Sequence, residues 1–148
     1  MLELKDVSVV FNEGTVNEKV ALNNINLALD RGDFVTIIGS NGAGKSTLFQ
    51  AISGAVDTKR GNIILNGRDI TFEPEYKRSK GIGRLFQDPL KGTAPNMTIE
   101  ENLHLSNQRG KHFSLSLMSH RHREEFKKAL MELELGLEAV SYTHLRAH

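Results

Sequence analysis

The sequence predicts an α/β fold with three parts: an antiparallel β subdomain, a partial core sheet and the start of a helical subdomain. Alternating apolar and polar residues over 2–11 and 20–29 predict the antiparallel strands. A β-branched run at 34–38, then a glycine-rich loop, then an apolar helix-like stretch predict the strand, loop and helix of a parallel core sheet. The last third of the chain has helical spacing, so we expect a helical subdomain there.

A β-hairpin follows the N-terminal strands. Polar residues 12–15, together with Asn17, separate the first two strands, as expected of a connection between them. Residues 61–65 and 68–70 flank the dipeptide Asn66-Gly67. Asn-Gly between two apolar runs is the strongest short-range signal for a two-residue hairpin turn. We therefore expect a hairpin centred on this dipeptide.

The glycine-rich loop matches the phosphate-binding pattern G-x-x-x-x-G-K-[ST] in full. The matching residues are Gly39, Ser40, Asn41, Gly42, Ala43, Gly44, Lys45, Ser46 and Thr47. Glycines allow the main chain to approach a polyphosphate closely and to take positive φ, so its N–H groups can surround the anion. Lys45 places a charge near the β and γ phosphates, Ser46 offers a hydroxyl to Mg²⁺, and Thr47 adds a phosphate contact. The loop is therefore predicted to hold a nucleoside triphosphate.

The flanking segments distinguish this loop from a chance match. Residues 34–38 have the composition of a buried central strand, and residues 48–52 continue as a helix that Gly54 can end. The N-terminus of that helix adds free N–H groups and the positive end of its macrodipole. The alternative is a glycine-rich turn that contains a lysine by coincidence. The matching context favours the phosphate-binding loop.

The remaining segments predict one strand and several helices. Residues 74–78 fit a short surface helix that opens with proline, and residues 82–86 fit another strand. Thr98 and Glu101 have the spacing of a capping box at the start of a helix. A second helix has a core-facing stripe, formed by Phe126, Leu130, Leu133 and Leu137. The basic, histidine-rich stretch 109–123 is interpreted as a solvated loop in preference to a ligand site.

Composition excludes several classes of protein. The chain has 148 residues, 39% of them hydrophobic, which suits about one domain. Its formal charge of +1 does not favour binding to nucleic acid. With no cysteine it has neither disulfides nor thiolate metal sites, as is usual in the cytoplasm. No stretch is long and apolar enough to span a membrane, and the first residues lack the layout of a signal peptide.

Several stretches together resemble the ATP-binding subunits of ATP-binding cassette (ABC) transporters. The resemblance covers residues 2–137 and rests on the phosphate loop and on segments 21–34, 61–67, 85–89 and 97–103. It implies a P-loop NTPase-like core with ATP and Mg²⁺ as cofactors. It also implies two partners, a transmembrane permease subunit and a second ATP-binding subunit. The implied location is cytoplasmic and peripheral, on the inner face of the cell membrane, without direct membrane insertion.

The resemblance assigns roles to two further residues. Phe11 matches the position at which the family stacks an aromatic ring on adenine, whereas its sequence context alone fits a strand-core phenylalanine equally well. Gln87 matches the family's glutamine loop, which approaches Mg²⁺ and the attacking water and couples nucleotide to the transmembrane partner. Without the resemblance, Gln87 is an ordinary loop residue. Ser46 and Gln87 are thus the expected Mg²⁺ contacts, and Lys45 and Gln87 support an incomplete catalytic set.

Beyond residue 138 the sequence departs from the family pattern. The signature loop, typically L-S-G-G-Q, the apolar strand ending in Asp-Glu and the switch histidine do not follow. We expect a truncated nucleotide-binding domain over 1–138, comprising an ATP-binding core and β subdomain over 1–96 and the start of the helical subdomain over 97–138, with an unrelated tail over 139–148. Phosphoryl transfer depends on a positioned carboxylate and an opposing loop, so we expect ATP binding rather than hydrolysis.

The sequence leaves three classes of function open. The first is an energy-coupling subunit of a bacterial importer, with a weak similarity to amino-acid uptake ATPases. The second is a stand-alone P-loop protein such as a GTPase or small kinase, although the chain has no N-K-x-D base-reading motif. The third is a non-transport cassette protein or an inert fragment. The transported substrate, its direction and the permease are not readable from these residues.

Overall fold

The computed structural model describes residues 1–108 and 120–133. They belong to two compact units, the first Met1–Ile82 and the second beginning at Gly83. The strands are β1 (Leu2–Phe11), β2 (Lys19–Leu29), β3 (Arg60–Leu65) and β4 (Arg68–Asp69). The helices are α1 (Lys45–Ser53), α2 (Glu75–Arg78), α3 (Ile99–Asn107) and α4 (His120–Met131), with a 3₁₀ turn at Pro89–Lys91. The predicted tail over 139–148 lies outside the described residues.

The first unit contains a four-stranded antiparallel sheet in the order β2-β1-β3-β4. Leu4 of β1 lies opposite Leu27 of β2 on one side and opposite Ile63 of β3 on the other. The hairpin turn at Asn66 and Gly67 has φ of 51° and 80°. Two successive positive φ values are what a two-residue type I′ turn requires, so the predicted hairpin is confirmed. The two predicted N-terminal antiparallel strands are confirmed by β1 and β2.

The core of the first unit lies between this sheet and α1. The buried apolar residues are Leu4, Val7, Val9, Leu22, Leu48, Ala51, Ile63 and Ile70. Two of them, Leu48 and Ala51, lie one turn apart on α1, so they share the face that packs on the sheet. Full burial of a large aliphatic side chain contributes about 1.5–3 kcal/mol, so this contact fixes α1 against the strands.

Two predicted strands are absent from the described structure. Residues 34–38 and 82–86 form no strand ladder, which makes those two predictions wrong. Phe34 and Ile38 are 94% and 90% exposed in the first unit, and Leu85 is fully exposed in the second. A parallel strand takes its hydrogen bonds from neighbours that are distant in sequence, and the described residues provide no such neighbour for these segments.

A polar cluster fixes the chain where β4 ends. The Asp69 carboxylate accepts hydrogen bonds from the Thr71 amide at 2.8 Å and the Thr71 hydroxyl at 2.5 Å, and Asn62 donates to it at 2.9 Å. The Thr71 bonds are the main cause of a pKa for Asp69 below the ordinary value. The Thr71 hydroxyl also accepts the buried Ile63 amide at 2.8 Å. This cluster therefore joins the segment that follows β4 to β3.

In the second unit, α3 begins with the predicted capping box. The Thr98 hydroxyl accepts from the Glu101 amide at 3.2 Å, and the Glu101 carboxylate accepts from the Thr98 amide at 2.7 Å. Asn102, one residue further on, exchanges two hydrogen bonds with the main chain of Ala94 at 2.8 and 3.0 Å. The prediction of a helix start here is confirmed, and Asn102 ties the preceding turn to it.

Helix α4 packs on α3 through two residues of the predicted stripe, Phe126 and Leu130, together with His122, which the stripe did not include. His122, Phe126 and His104 form a ring cluster with centroids 5.8–6.5 Å apart, and Leu130 is buried one turn beyond. Leu133 is 57% exposed because α4 ends at Met131, so its predicted core position is wrong. Leu137 lies outside the described residues.

The loop predicted over 109–123 is helical at its C-terminal end. Residues 120–123 form the first turn of α4, and residues 109–119 lie outside the described part of the chain. Arg123 forms an ion pair with Glu100 of α3 at 3.3 Å. Arg123 therefore lies in a helix and pairs with a neighbouring helix, whereas the charge pattern predicted a solvated loop. Among the described residues, no helix is long and apolar enough to cross a membrane.

Candidate phosphate-binding site

The glycine-rich loop leads directly into the N-terminus of α1. Gly42 and Gly44 have φ of 84° and 88°, values that side-chain-bearing residues rarely adopt. The Ala43 amide bonds to the Ser40 carbonyl at 3.2 Å, which closes a turn before the helix begins at Lys45. Alternation of left-handed and right-handed residues directs successive N–H groups to one side and forms a concave anion site. The loop has the glycine conformations that such a site needs.

Position 44 requires glycine because of its close neighbours in β2 as well as its positive φ. A Cβ atom at this position would lie 2.6 Å from the Ala21 carbonyl oxygen and 3.1 Å from Leu22 Cδ2, both in β2. Real Cβ atoms do not approach a backbone oxygen so closely, so only glycine fits here. The last glycine of the loop is therefore held directly against the antiparallel sheet.

The first turn of α1 presents its amides without a competing side chain. Gly44 is the N-cap and has no side chain to accept the first N–H groups, and the first turn holds no acidic residue. The first amides of a helix have no partner within the helix, and the positive end of its macrodipole lies there. Ser46 is exposed and Thr47 half-buried in this turn. An anion at this end would contribute about 0.3–1 kcal/mol through the dipole alone.

Lys45 folds back over the start of the loop. Its Nζ donates to the carbonyl oxygens of Gly39 at 2.5 Å and Ser40 at 2.7 Å. The ammonium group therefore lies beside the loop instead of extending into solvent. The structure thus brings together the lysine, the two left-handed glycines and the helix N-terminus, as the sequence pattern predicts.

The opposite end of α1 is fixed by Arg78, which the sequence analysis missed. Arg78 is only 3% exposed, and its guanidinium donates to the carbonyls of Ala51 and Ile52 at 2.7 and 3.0 Å. It also donates to the carbonyls of Thr71 and Glu73, both at 2.7 Å. Burial lowers the pKa of Arg78 below its ordinary value, although nearby carboxylates act in the opposite sense. The pattern of residues 74–78 indicated a surface helix and gave no sign of this burial.

Phe11 lies at the end of β1, opposite Lys19 of β2. It is half-buried and packs against the hydrophobic core of the first unit. Such a position combines a core contact with a partly exposed ring. The adenine-stacking role remains a prediction.

Gln87 belongs to the second unit and is exposed. It precedes Asp88, whose carboxylate accepts from the Leu90 amide at 3.1 Å at the start of the 3₁₀ turn. Its role toward Mg²⁺ and water remains a prediction. No group of three or more potential metal-ligating side chains occurs among residues 1–108 and 120–133.

An α/β unit in which a glycine loop and a lysine meet a helix N-terminus is the arrangement typical of P-loop proteins. The chain belongs to the ABC transporter family, whose pattern matches residues 22–147. This result confirms the resemblance found in the sequence.

Two relatives and one solved structure give the extent of the similarity. The tyrosine transport ATP-binding protein of Clostridioides difficile (strain R20291) is 40% identical over 146 residues, which cover 99% of this chain and 57% of that protein. The phosphonates import ATP-binding protein of Lactobacillus gasseri is 45% identical over 92 residues, 59% of this chain and 33% of that protein.

The solved structure is a dimeric ATP-binding cassette in a post-hydrolysis state with bound ADP and inorganic phosphate. It has a TM-score of 0.74 and 27% identity and covers 97% of this chain and 61% of the other. The α/β, P-loop NTPase-like fold class is thereby confirmed. The chain spans little more than half the length of the tyrosine transport relative.

Proposed function

We propose that this chain is part of the ATP-binding subunit of an ABC importer and that its loop 39–47 binds MgATP. One observation carries the proposal: Gly42 and Gly44 adopt left-handed conformations immediately before the uncapped N-terminus of α1, with the Lys45 ammonium beside them. Main-chain amides, a helix dipole and a lysine are the groups that a triphosphate needs. They converge on one end of one helix.

The residues present fit both nucleotide and metal. The loop amides and Lys45 would hold the phosphates, and the exposed Ser46 hydroxyl would be a protein ligand of Mg²⁺. Mg²⁺ would neutralise charge on the phosphate oxygens. Phe11 would contact the adenine ring. Gln87 would be the glutamine-loop residue that the family resemblance assigns to Mg²⁺ and the attacking water.

Transport coupling is proposed for the whole subunit. The similarity to the tyrosine transport ATP-binding protein of C. difficile supports an importer of amino acids. The dimeric cassette supports pairing with a second ATP-binding subunit, and the family supports a transmembrane permease as the other partner. Such a subunit would lie at the inner face of the cell membrane.

Titration of the purified chain with MgATP tests the proposal. We expect saturable heat of binding in isothermal calorimetry and weaker binding when EDTA removes Mg²⁺, because the metal offsets the charge of the triphosphate. Circular dichroism confirms in parallel that the protein is folded. Absence of binding by folded chain would refute the proposal, and brisk ATP hydrolysis would refute the expected lack of turnover.

Replacing Phe11 with alanine tests the adenine contact. Stacking of a base on an aromatic ring contributes about 1–3 kcal/mol, so we expect affinity for MgATP to fall by about 5- to 150-fold. Binding of magnesium tripolyphosphate, which has no base, is expected to stay unchanged. Phe72→Ala, which removes an 87% exposed ring of the same unit, is the matched control. An equal loss for both ligands would assign Phe11 to the core instead.

A further inference from the structure

We propose that Arg78 is a positioning residue for the phosphate loop and acts through α1 from the far end of the helix. The inference rests on the proposed function, since it concerns the same nucleotide site. The hydrogen bonds of Arg78 go to main-chain carbonyls outside the loop. Its effect would be on where the first turn of α1 lies.

The contacts of Arg78 join three elements at one point. Nη1 donates to Ala51 and Ile52 in the last turn of α1, Nη2 donates to Thr71 after β4, and Nε donates to Glu73 before α2. All four acceptors are main-chain carbonyls. The planar guanidinium is the one side-chain cation that can serve several such acceptors in a fixed geometry. A lysine has one donor atom and cannot hold all of them.

The charge of Arg78 complements the dipole of α1. The carbonyls of Ala51 and Ile52 lie at the negative end of the helix, where a cation is favourable, and an anion is favourable at the opposite end. A buried cation at one end and a phosphate at the other therefore both stabilise the same helix orientation. The carboxylates of Glu73, Asp57 and Asp69 contribute only through longer-range attraction.

Helix α1 is short and behaves as one rigid element, so a displacement of one end also displaces the other. Nine residues extend about 13 Å. At the N-terminus Gly44 lies against Ala21 of β2, and at the C-terminus the fit around Arg78 is equally tight. A Cβ on Gly54 would lie 2.8 Å from Arg78 Nε. Loss of the guanidinium would free the C-terminal end, and the resulting tilt would displace the loop amides.

Three variants test this role. Arg78→Met removes the charge and keeps the stem, and Arg78→Lys keeps the charge but loses the fork. Gly54→Ala keeps the arginine and displaces it, and it also adds the conformational cost of an alanine at the φ of 82° of Gly54. Thr71→Val is the matched control, because it loses the hydroxyl that accepts the Ile63 amide and leaves all four carbonyl acceptors of Arg78 in place.

The readouts are nucleotide affinity and the amide NMR signals of residues 40–47. For Arg78→Met we expect about tenfold weaker binding of both MgATP and magnesium tripolyphosphate, within the usual range of coupling between sites, and shifted loop amides even without nucleotide. Arg78→Lys and Gly54→Ala should show the same changes to a smaller degree. Thr71→Val should lower the midpoint of thermal unfolding and leave affinity and loop amides unchanged.

The outcomes separate this inference from the proposed function. If the wild-type chain binds neither ligand, the proposed function fails, and the loop amide signals alone still decide the role of Arg78. Unshifted loop amides in folded Arg78 variants would overturn the inference, as would an equal loss of affinity in Thr71→Val. If Arg78→Met does not fold, Arg78→Lys and Gly54→Ala provide the same comparison.

Discussion

Replacing Lys45 with methionine is expected to weaken binding of MgATP by about 10- to 150-fold, because a hydrogen bond to a charged group contributes about 1.5–3 kcal/mol. Methionine keeps the length of the side chain and removes the ammonium. That ammonium lies 2.5 and 2.7 Å from two loop carbonyls, so it is already next to the predicted phosphate position. Isothermal calorimetry with MgATP measures the loss.

The control for this prediction is Lys77→Met on α2, which removes an exposed lysine from the same unit. Thermal unfolding should show that both variants are folded, since neither side chain belongs to the core. Equal affinities for Lys45→Met and the wild type would show that the loop does not hold the triphosphate.

Replacing Gly61 with alanine is expected to destabilise the first unit by about 3 kcal/mol or more. Gly61 has φ of 86°, which costs an L-residue about 1–2 kcal/mol. A Cβ there would also lie 2.3 Å from the Lys5 carbonyl oxygen and 2.5 Å from atoms of the Asp6 main chain. Backbone cannot rotate away as a side chain can, so β1 and β3 would have to separate. Urea unfolding followed by circular dichroism measures the change.

Gly67→Ala is the matched control for this second prediction. Gly67 has a similar φ of 80°, but a Cβ there would meet nothing within 4 Å. We expect a loss of about 1–2 kcal/mol, the conformational cost alone. If both variants lose the same stability, the close approach of β3 to β1 contributes nothing.

The parts of the fold that were predictable are those encoded by neighbouring residues. A few neighbouring residues determine the local structure in three places: the Asn66-Gly67 turn, the capping box of Thr98 and Glu101, and the alternation in β1. Residues 34–38 have the composition of a strand but depend on a partner that is distant in sequence. Composition therefore indicated a strand where the described residues form none.

The same distinction applies to the site. The phosphate loop is contiguous, so its pattern was readable and its glycines have the expected conformations. Arg78 reaches acceptors 26 and 27 residues away, and no local pattern distinguishes a buried arginine of this kind from a solvated one. The fit of Gly44 against Ala21 likewise depends on a strand that lies far earlier in the chain.

The exposed side chains of Phe34 and Ile38 have a consequence for biosynthesis. Synthesis adds about 5–20 residues per second, whereas a hairpin closes within about 10 microseconds. Local folding of the nascent chain is therefore complete long before later segments are made, and it leaves these two side chains uncovered. We expect holdase chaperones to bind this segment of the growing polypeptide while later residues are added.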